Sequence, residues 1–261
     1  MPEQVKVLML AANAYEPRSV LRLDEEIRAI DGAIQRAGRR DDFDLVTALA
    51  MRIGDLQAAL LRHRPTIVHF AGHGEEAGVR MADETGTVRT VEASALESVF
   101  RVFANTIRLV VLNACDTDST ARALAESVEF AIGTDRKIQD RTAILFAEAL
   151  YGALAAGRPV ADAFSLGEAR LRTEGVAPLP FRLRTRNGAA GDELLRAEAV
   201  PLPEPASPPV QVNIFGDLVA EEDVTFRNGV RTNSSGQPLP GGTQLNRADS
   251  VKARNLTFEG S

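Results

Sequence analysis

The chain has 261 residues, 44% hydrophobic and 25% charged, with 30 basic against 36 acidic side chains. That is the make-up of a globular chain with one sizeable α/β domain and a small appendage. It leaves no basic surplus for nucleic acid or an anionic membrane. One cysteine and three histidines exclude a cysteine-rich zinc site and an internal disulfide. No apolar run reaches the roughly 18 residues of a spanning helix. The start, Met1 to Lys6, lacks the basic-then-apolar layout of a signal peptide. A reducing, cytoplasmic setting is therefore expected.

Val5 to Ala11 reads as a buried strand, followed by a loop from Ala12 to Arg18. Leu23, Ile27, Ile30 and Ile34 recur at helical spacing, with Asp24, Glu25 and Glu26 where the helix dipole favours acids. Phe43 to Leu49 is a second strand, and Ile53, Leu56 and Leu60 mark a short helix ending before Pro65. Thr66 to Ala71 is a third strand, rich in β-branched residues. Residues 78–91, with Gly86 inside, look like a hairpin, and Ala93 to Phe103 a helix. Ile107 to Asn113 is the strongest strand. Helix Thr120 to Ser127, strand Glu129 to Gly133, helices Asp140 to Ala156 and Val160 to Thr173, and an edge strand Phe181 to Leu183 complete the pattern. Short apolar strands alternating with helices predict an α/β fold: a mostly parallel sheet with helices on both faces.

Residues 1–186 form this predicted domain. Residues 187–209 form a linker, stiffened by Pro201, Pro203, Pro205, Pro208 and Pro209. Residues 210–261 form a small, polar, β-rich tail. Val224-Thr225-Phe226 is echoed by Leu256-Thr257-Phe258 and more loosely by Asn213-Ile214-Phe215, a weak repeat that suggests stacked pieces of strand. So small and polar a segment buries little core alone. It is expected to lean on the main domain, another copy or a partner.

Two strand ends carry reactive side chains, where parallel sheets place their ligands. One is His69-Phe70-Ala71-Gly72-His73-Gly74, the other Leu112-Asn113-Ala114-Cys115-Asp116-Thr117. In each, the chain is expected to turn out of the sheet just after the apolar run. Gly72 and Gly74 allow backbone shapes and close approaches that a side chain forbids. The Gly74 and Cys115 N–H groups are candidate donors to a developing oxyanion. A cysteine has a free pKa near 8.5 and needs a base to attack an amide, and an imidazole supplies one. A single cysteine on an apolar strand also fits a plain buried hydrophobe. His69, at mid-strand, reads as a satisfied core histidine, and His63 as a surface residue without a role.

Several separated segments resemble the CHAT family, caspase-like domains common in bacteria: VLMLAAN, LRLDEEIRAI, IVHFAGHG, LVVLNACDT and the stretch from Ile132 to Phe164. The similarity runs over about residues 5–175, with the segments in the family order. It implies a fold like that of caspases, separases and metacaspases, and a cysteine endopeptidase with His73 as base and Cys115 as nucleophile. In separase-like relatives an acid downstream of the nucleophile selects the substrate residue before the scissile bond. Asp140 stands where that acid is sought, with Asp135 and Asp116 as rivals. Asp140 also suits a helix N-cap. An acidic pocket would select Arg or Lys.

The resemblance further implies a protein substrate, an effector role in bacterial defence or stress signalling, and an upstream sensor. No G-x-x-x-x-G-K-[ST] loop is present, and no cofactor is expected. The tail would dock a partner, restrain the groove or serve as a plain extension. The competing functional class is a catalytically silent adaptor whose tail binds a partner. A flavodoxin-like phosphate binder suits the sheet but lacks a glycine-rich loop after the first strand.

Overall fold

The computed structural model describes residues 4–12 and 21–186, together with seven short strands between residues 210 and 259. The chain divides into two compact units, Met1–Glu198 and Ala199–Ser261. The expected loop residues 13–18 and the proline-rich linker lie outside the described residues.

Unit 1 is built on β1 (Val5–Ala12), β2 (Phe43–Leu49), β3 (Ile67–Glu75), β4 (Gly78–Ala82), β5 (Val88–Glu92), β6 (Leu109–Asn113), β7 (Phe130–Thr134) and β8 (Phe181–Thr185). Its helices are α1 (Leu23–Gln35), α2 (Asp55–His63), α3 (Ala93–Val102), α4 (Asp118–Leu124), α5 (Asp140–Ala155) and α6 (Val160–Thr173). The sheet order is β2-β1-β3-β6-β7-β8. All neighbours are parallel except β7 and β8.

The strands are apolar at consecutive positions because both faces of the sheet are covered. Val7, Met9, Ile67 and Val111 pack with α1, α5 and α6. Leu8, Leu10, Val68 and Val110 point the other way, towards α2, α3 and α4. Alternation along each strand produces the two cores from one run of residues. On the first face Phe146 of α5 stacks on Phe181 of β8, with ring centroids 3.7 Å apart. Gly167 of α6 makes room for that stack, since a Cβ there would lie 2.7 Å from the Phe146 ring.

Strand β3 runs further than the sequence pattern predicts. After Ala71 it does not turn away. It continues to Glu75 and pairs antiparallel with β4, His73 opposite Arg80 and Gly74 opposite Val79. The β4–β5 hairpin supplies the ladder partners that the main sheet no longer offers at that height. His73 and Gly74 therefore sit on regular strand, a firmer support than a loop.

In unit 2 the Val224–Arg227 strand pairs in parallel with Leu256–Glu259, with Thr225 opposite Thr257 and Phe226 opposite Phe258. Val210–Val212 pairs likewise with Thr243–Leu245, and Asp217–Val219 with Ser250–Lys252. The sequence echo thus coincides with strand pairing. The third piece, Asn213 to Phe215, lies outside the described residues.

Candidate active site

Adjacent parallel strands bring the two reactive segments together. Ala71 of β3 is in register with Asn113 of β6; His73 lies two residues further along β3, and Cys115 two residues beyond the end of β6. Residues two apart on a strand share a face. The site therefore opens on the side covered by α1 and α5. It lies beside the point where strand order reverses between β1 and β3, the usual place for a ligand crevice in such sheets.

Gly74 marks how close the two segments come. A Cβ on it would fall 2.4 Å from the Cys115 carbonyl oxygen and 3.0 Å from the Ala114 Cβ. Only glycine permits that approach.

The turn carrying Cys115 is pinned from below. Thr117 Oγ1 donates to the Ala114 carbonyl at 3.0 Å, and Thr134 Oγ1 donates to the same oxygen at 2.6 Å. The Thr134 N–H in turn donates to Thr117 Oγ1 at 3.2 Å. Asp116 follows Cys115 with φ of 54°, a left-handed conformation that Asp tolerates better than most residues. Its N–H donates to the Arg136 carbonyl at 3.3 Å.

A cleft of about 110 Å³, open to solvent, lies over this turn. His73, Cys115, Asn113, Glu26 and Asp140 all contribute to its walls. Cys115 is half-buried. The Ile138 N–H donates to its Sγ at 3.4 Å, and the Ile138 carbonyl oxygen lies 3.8 Å from it. His73 is half-buried too, and its Nε2 is buried with no hydrogen-bond partner among the described residues. An imidazole nitrogen left unengaged is available to move a proton.

Beneath the pair lies a buried polar network. His69 is fully buried. Its Nε2 is 2.7 Å from Glu26 Oε1 and its Nδ1 3.1 Å from the Tyr151 hydroxyl. Burial, and then the charge of Glu26, push the Tyr151 hydroxyl well above its usual pKa, so it keeps its proton. His69 is thus a satisfied core histidine. His63 ends α2 and is half-buried.

The three candidate pocket acids separate. Asp140 reaches the cleft. It is not the N-cap of α5, because Gln139 holds that position and no side chain caps the helix. Asp140 is the first helical residue instead, and its Oδ2 accepts the Arg22 N–H at 3.1 Å. Asp135 is committed to guanidinium groups. Arg136 donates to it at 2.6 Å and Arg182 pairs with it, which together hold its carboxyl below the usual range. Neither Asp135 nor Asp116 is among the residues walling the cleft.

A family model described as the CHAT domain matches residues 11–175. The chain belongs to the CHAT family. A Roc-COR-CHAT protease from an unknown prokaryotic organism is 21% identical over 157 residues, covering 57% of this chain and 15% of that protein. A probable protease of Gillisia limnaea is 22% identical over 153 residues, covering 58% and 27%. The chain thus spans less than a third of the length of these relatives.

Among solved structures, a secreted C11 cysteine protease from Bacteroides thetaiotaomicron, held with an irreversible peptide inhibitor, aligns with a TM-score of 0.53 at 12% identity. The alignment covers 68% of this chain and 62% of that one. The Arg-specific cysteine proteinase gingipain R aligns at 0.50 and 12% identity, over 74% and 47%. This CHAT chain shares the caspase-like α/β fold with both. Among the described residues, no helix is long and apolar enough to cross a membrane.

Proposed function

We propose that this CHAT chain is a cysteine endopeptidase in which His73 activates Cys115. The observation that supports the reading is that both residues line one open cleft, on neighbouring strands or just beyond them. In the reaction, the His73 imidazole takes the thiol proton and Sγ attacks the scissile carbonyl. The imidazolium then protonates the leaving amine, and the thioester is hydrolysed by water that His73 deprotonates. Gly74 and Cys115 N–H groups would receive the oxyanion. Cleavage-site profiling on a peptide library tests this. Wild-type chain should cut at a defined residue, and no site should be cut by Cys115→Ala; absence of cutting by both would leave the adaptor reading.

Asp140 is the acid proposed to receive the substrate side chain before the scissile bond, which selects Arg or Lys. Its position at the first turn of α5, on the cleft wall, supports that role. Asp140→Lys should lower kcat/KM for Arg and Lys substrates by at least about tenfold and raise it for acidic ones. An unchanged preference would remove Asp140 from the pocket.

The proposed setting is an effector in a bacterial defence or stress pathway, released by a separate sensor. The paired repeats of the tail suit docking better than a plain extension. Deleting residues 200–261 should leave peptide cleavage unchanged and abolish activation by the sensor. A large rise in cleavage would mean that the tail restrains the groove.

A further inference from the structure

Glu26 is an acid on the buried side of an otherwise amphipathic helix. It is 4% exposed, while Asp24 beside it faces solvent. A buried carboxylate persists only when its acceptors are used. Here Oε1 takes the Nε2 proton of His69 from β3 and a second, short hydrogen bond from Asn113 Nδ2 on β6. Since a carboxylate only accepts, His69 carries a proton on Nε2, and its Nδ1 shares a hydrogen bond with the Tyr151 hydroxyl.

Asn113 responds to the same charge. Its Nδ2 donates to Glu26 and, at 3.2 Å, to the Ala143 carbonyl of α5. Its buried Oδ1 has no partner among the described residues. Turning the amide over would set that oxygen against two acceptors. The amide therefore keeps its orientation despite an unpaired oxygen, and Glu26 supplies the charge that fixes it.

The positions of the two donors matter. Asn113 lies two residues before Cys115, and His69 four before His73, so both stand on the sheet face from which the pair rises. One carboxylate thus ties α1 to both strands that carry the chemistry, and His69 and Asn113 extend the link to α5. α1 and α5 also wall the cleft above.

We propose that Glu26 is a positioning residue that sets the separation of Cys115 and His73 through Asn113 and His69. The proposal rests on the peptidase reading for its effect on turnover, but its geometric content is readable without turnover. A buried link of this kind fixes distance between strand ends. Losing it should cost rate through misplacement, with little effect on substrate binding.

The test uses the full chain and the variants Glu26→Gln, Asn113→Ala and their double. Active sites are counted by labelling of Cys115 with a substrate-like peptide electrophile that needs the folded cleft, and kcat is expressed per labelled site, so a reduced folded fraction does not enter. Glu26→Gln should lower kcat by between about 10- and 100-fold with KM nearly unchanged. The double variant should be no slower than the slower single, because both cut one link. The rate of alkylation of Cys115 by iodoacetamide should change in Glu26→Gln as well. If wild-type chain cleaves nothing while that alkylation rate still depends on Glu26, the peptidase reading fails and the positioning role stands. An alkylation rate and a per-site kcat that both ignore Glu26→Gln, or fully multiplicative effects in the double variant, would overturn the proposal. Tyr151→Phe provides a milder cut at the far end of the same network and should move kcat in the same direction by a smaller factor.

Discussion

Replacing Cys115 with alanine is expected to abolish peptide cleavage while leaving the chain folded. The side chain is half-buried and small, and the Thr117 and Thr134 hydrogen bonds that hold the turn remain when the weak Ile138 N–H contact to sulfur is lost. His73→Ala should retain substrate binding and lose about 10²–10⁴-fold in kcat, the usual contribution of a positioned proton carrier. Its antiparallel pairing with Arg80 is a backbone contact and survives the substitution. Turnover on a cleavable fluorogenic peptide, with circular dichroism as the folding control, reads both. A Cys115→Ala chain that cleaves at the wild-type rate would move the chemistry elsewhere.

The second large effect falls on a residue with no side chain. Gly74→Ala places a Cβ 2.4 Å from the Cys115 carbonyl oxygen and 2.7 Å from Thr117 Cγ2. The first neighbour is backbone, so either β3 or the Cys115 turn has to move. Displacements of about 1 Å between reacting groups can cost about 10²-fold, and a loss of that order in kcat is expected. Stability should fall as well, by about 1–3 kcal/mol, as for other overpacked sites. Gly86→Ala is the matching control. Gly86 has φ of 83° in the hairpin turn, and nothing lies within 4 Å of the added carbon. Its cost is backbone strain far from the cleft, so it should lower the melting temperature and leave kcat alone.

The framework was readable because burial on both faces leaves an unmistakable mark. Val7, Leu8, Met9 and Leu10 are all nearly inaccessible, as are Val110 and Val111, and short apolar runs of this kind are what parallel strands covered on both faces require. The reactive ends were readable as well, since Gly-His-Gly and Asn-Ala-Cys stand where apolar runs stop. The extension of β3 was not, because it depends on a hairpin partner that no local pattern announces. The helix start at Asp140 was readable, whereas its N-cap was not, because Gln139 gives no side-chain signal of a cap.

Glu26 shows a different kind of loss. Within Asp24-Glu25-Glu26 it reads as one more acid in a first turn. Yet it stands three residues after Leu23 and four before Ile30, on the apolar stripe of α1. An acid inside such a stripe signals a buried partner, and that signal was present in the spacing. The partners Asn113 and His69 come from distant strands, and only the folded sheet brings them to it. Thr117 and Thr134 were equally silent, because their shared target, the Ala114 carbonyl, is a backbone atom.

The most direct test exposes the full chain to a peptide carrying a thiol-reactive electrophile in place of its scissile bond, then maps the adduct by mass spectrometry. The account predicts one adduct, on Cys115, forming rapidly in wild-type chain and far more slowly in His73→Ala. Equal labelling of the two chains, or a thiol that no peptide electrophile reaches, would contradict it.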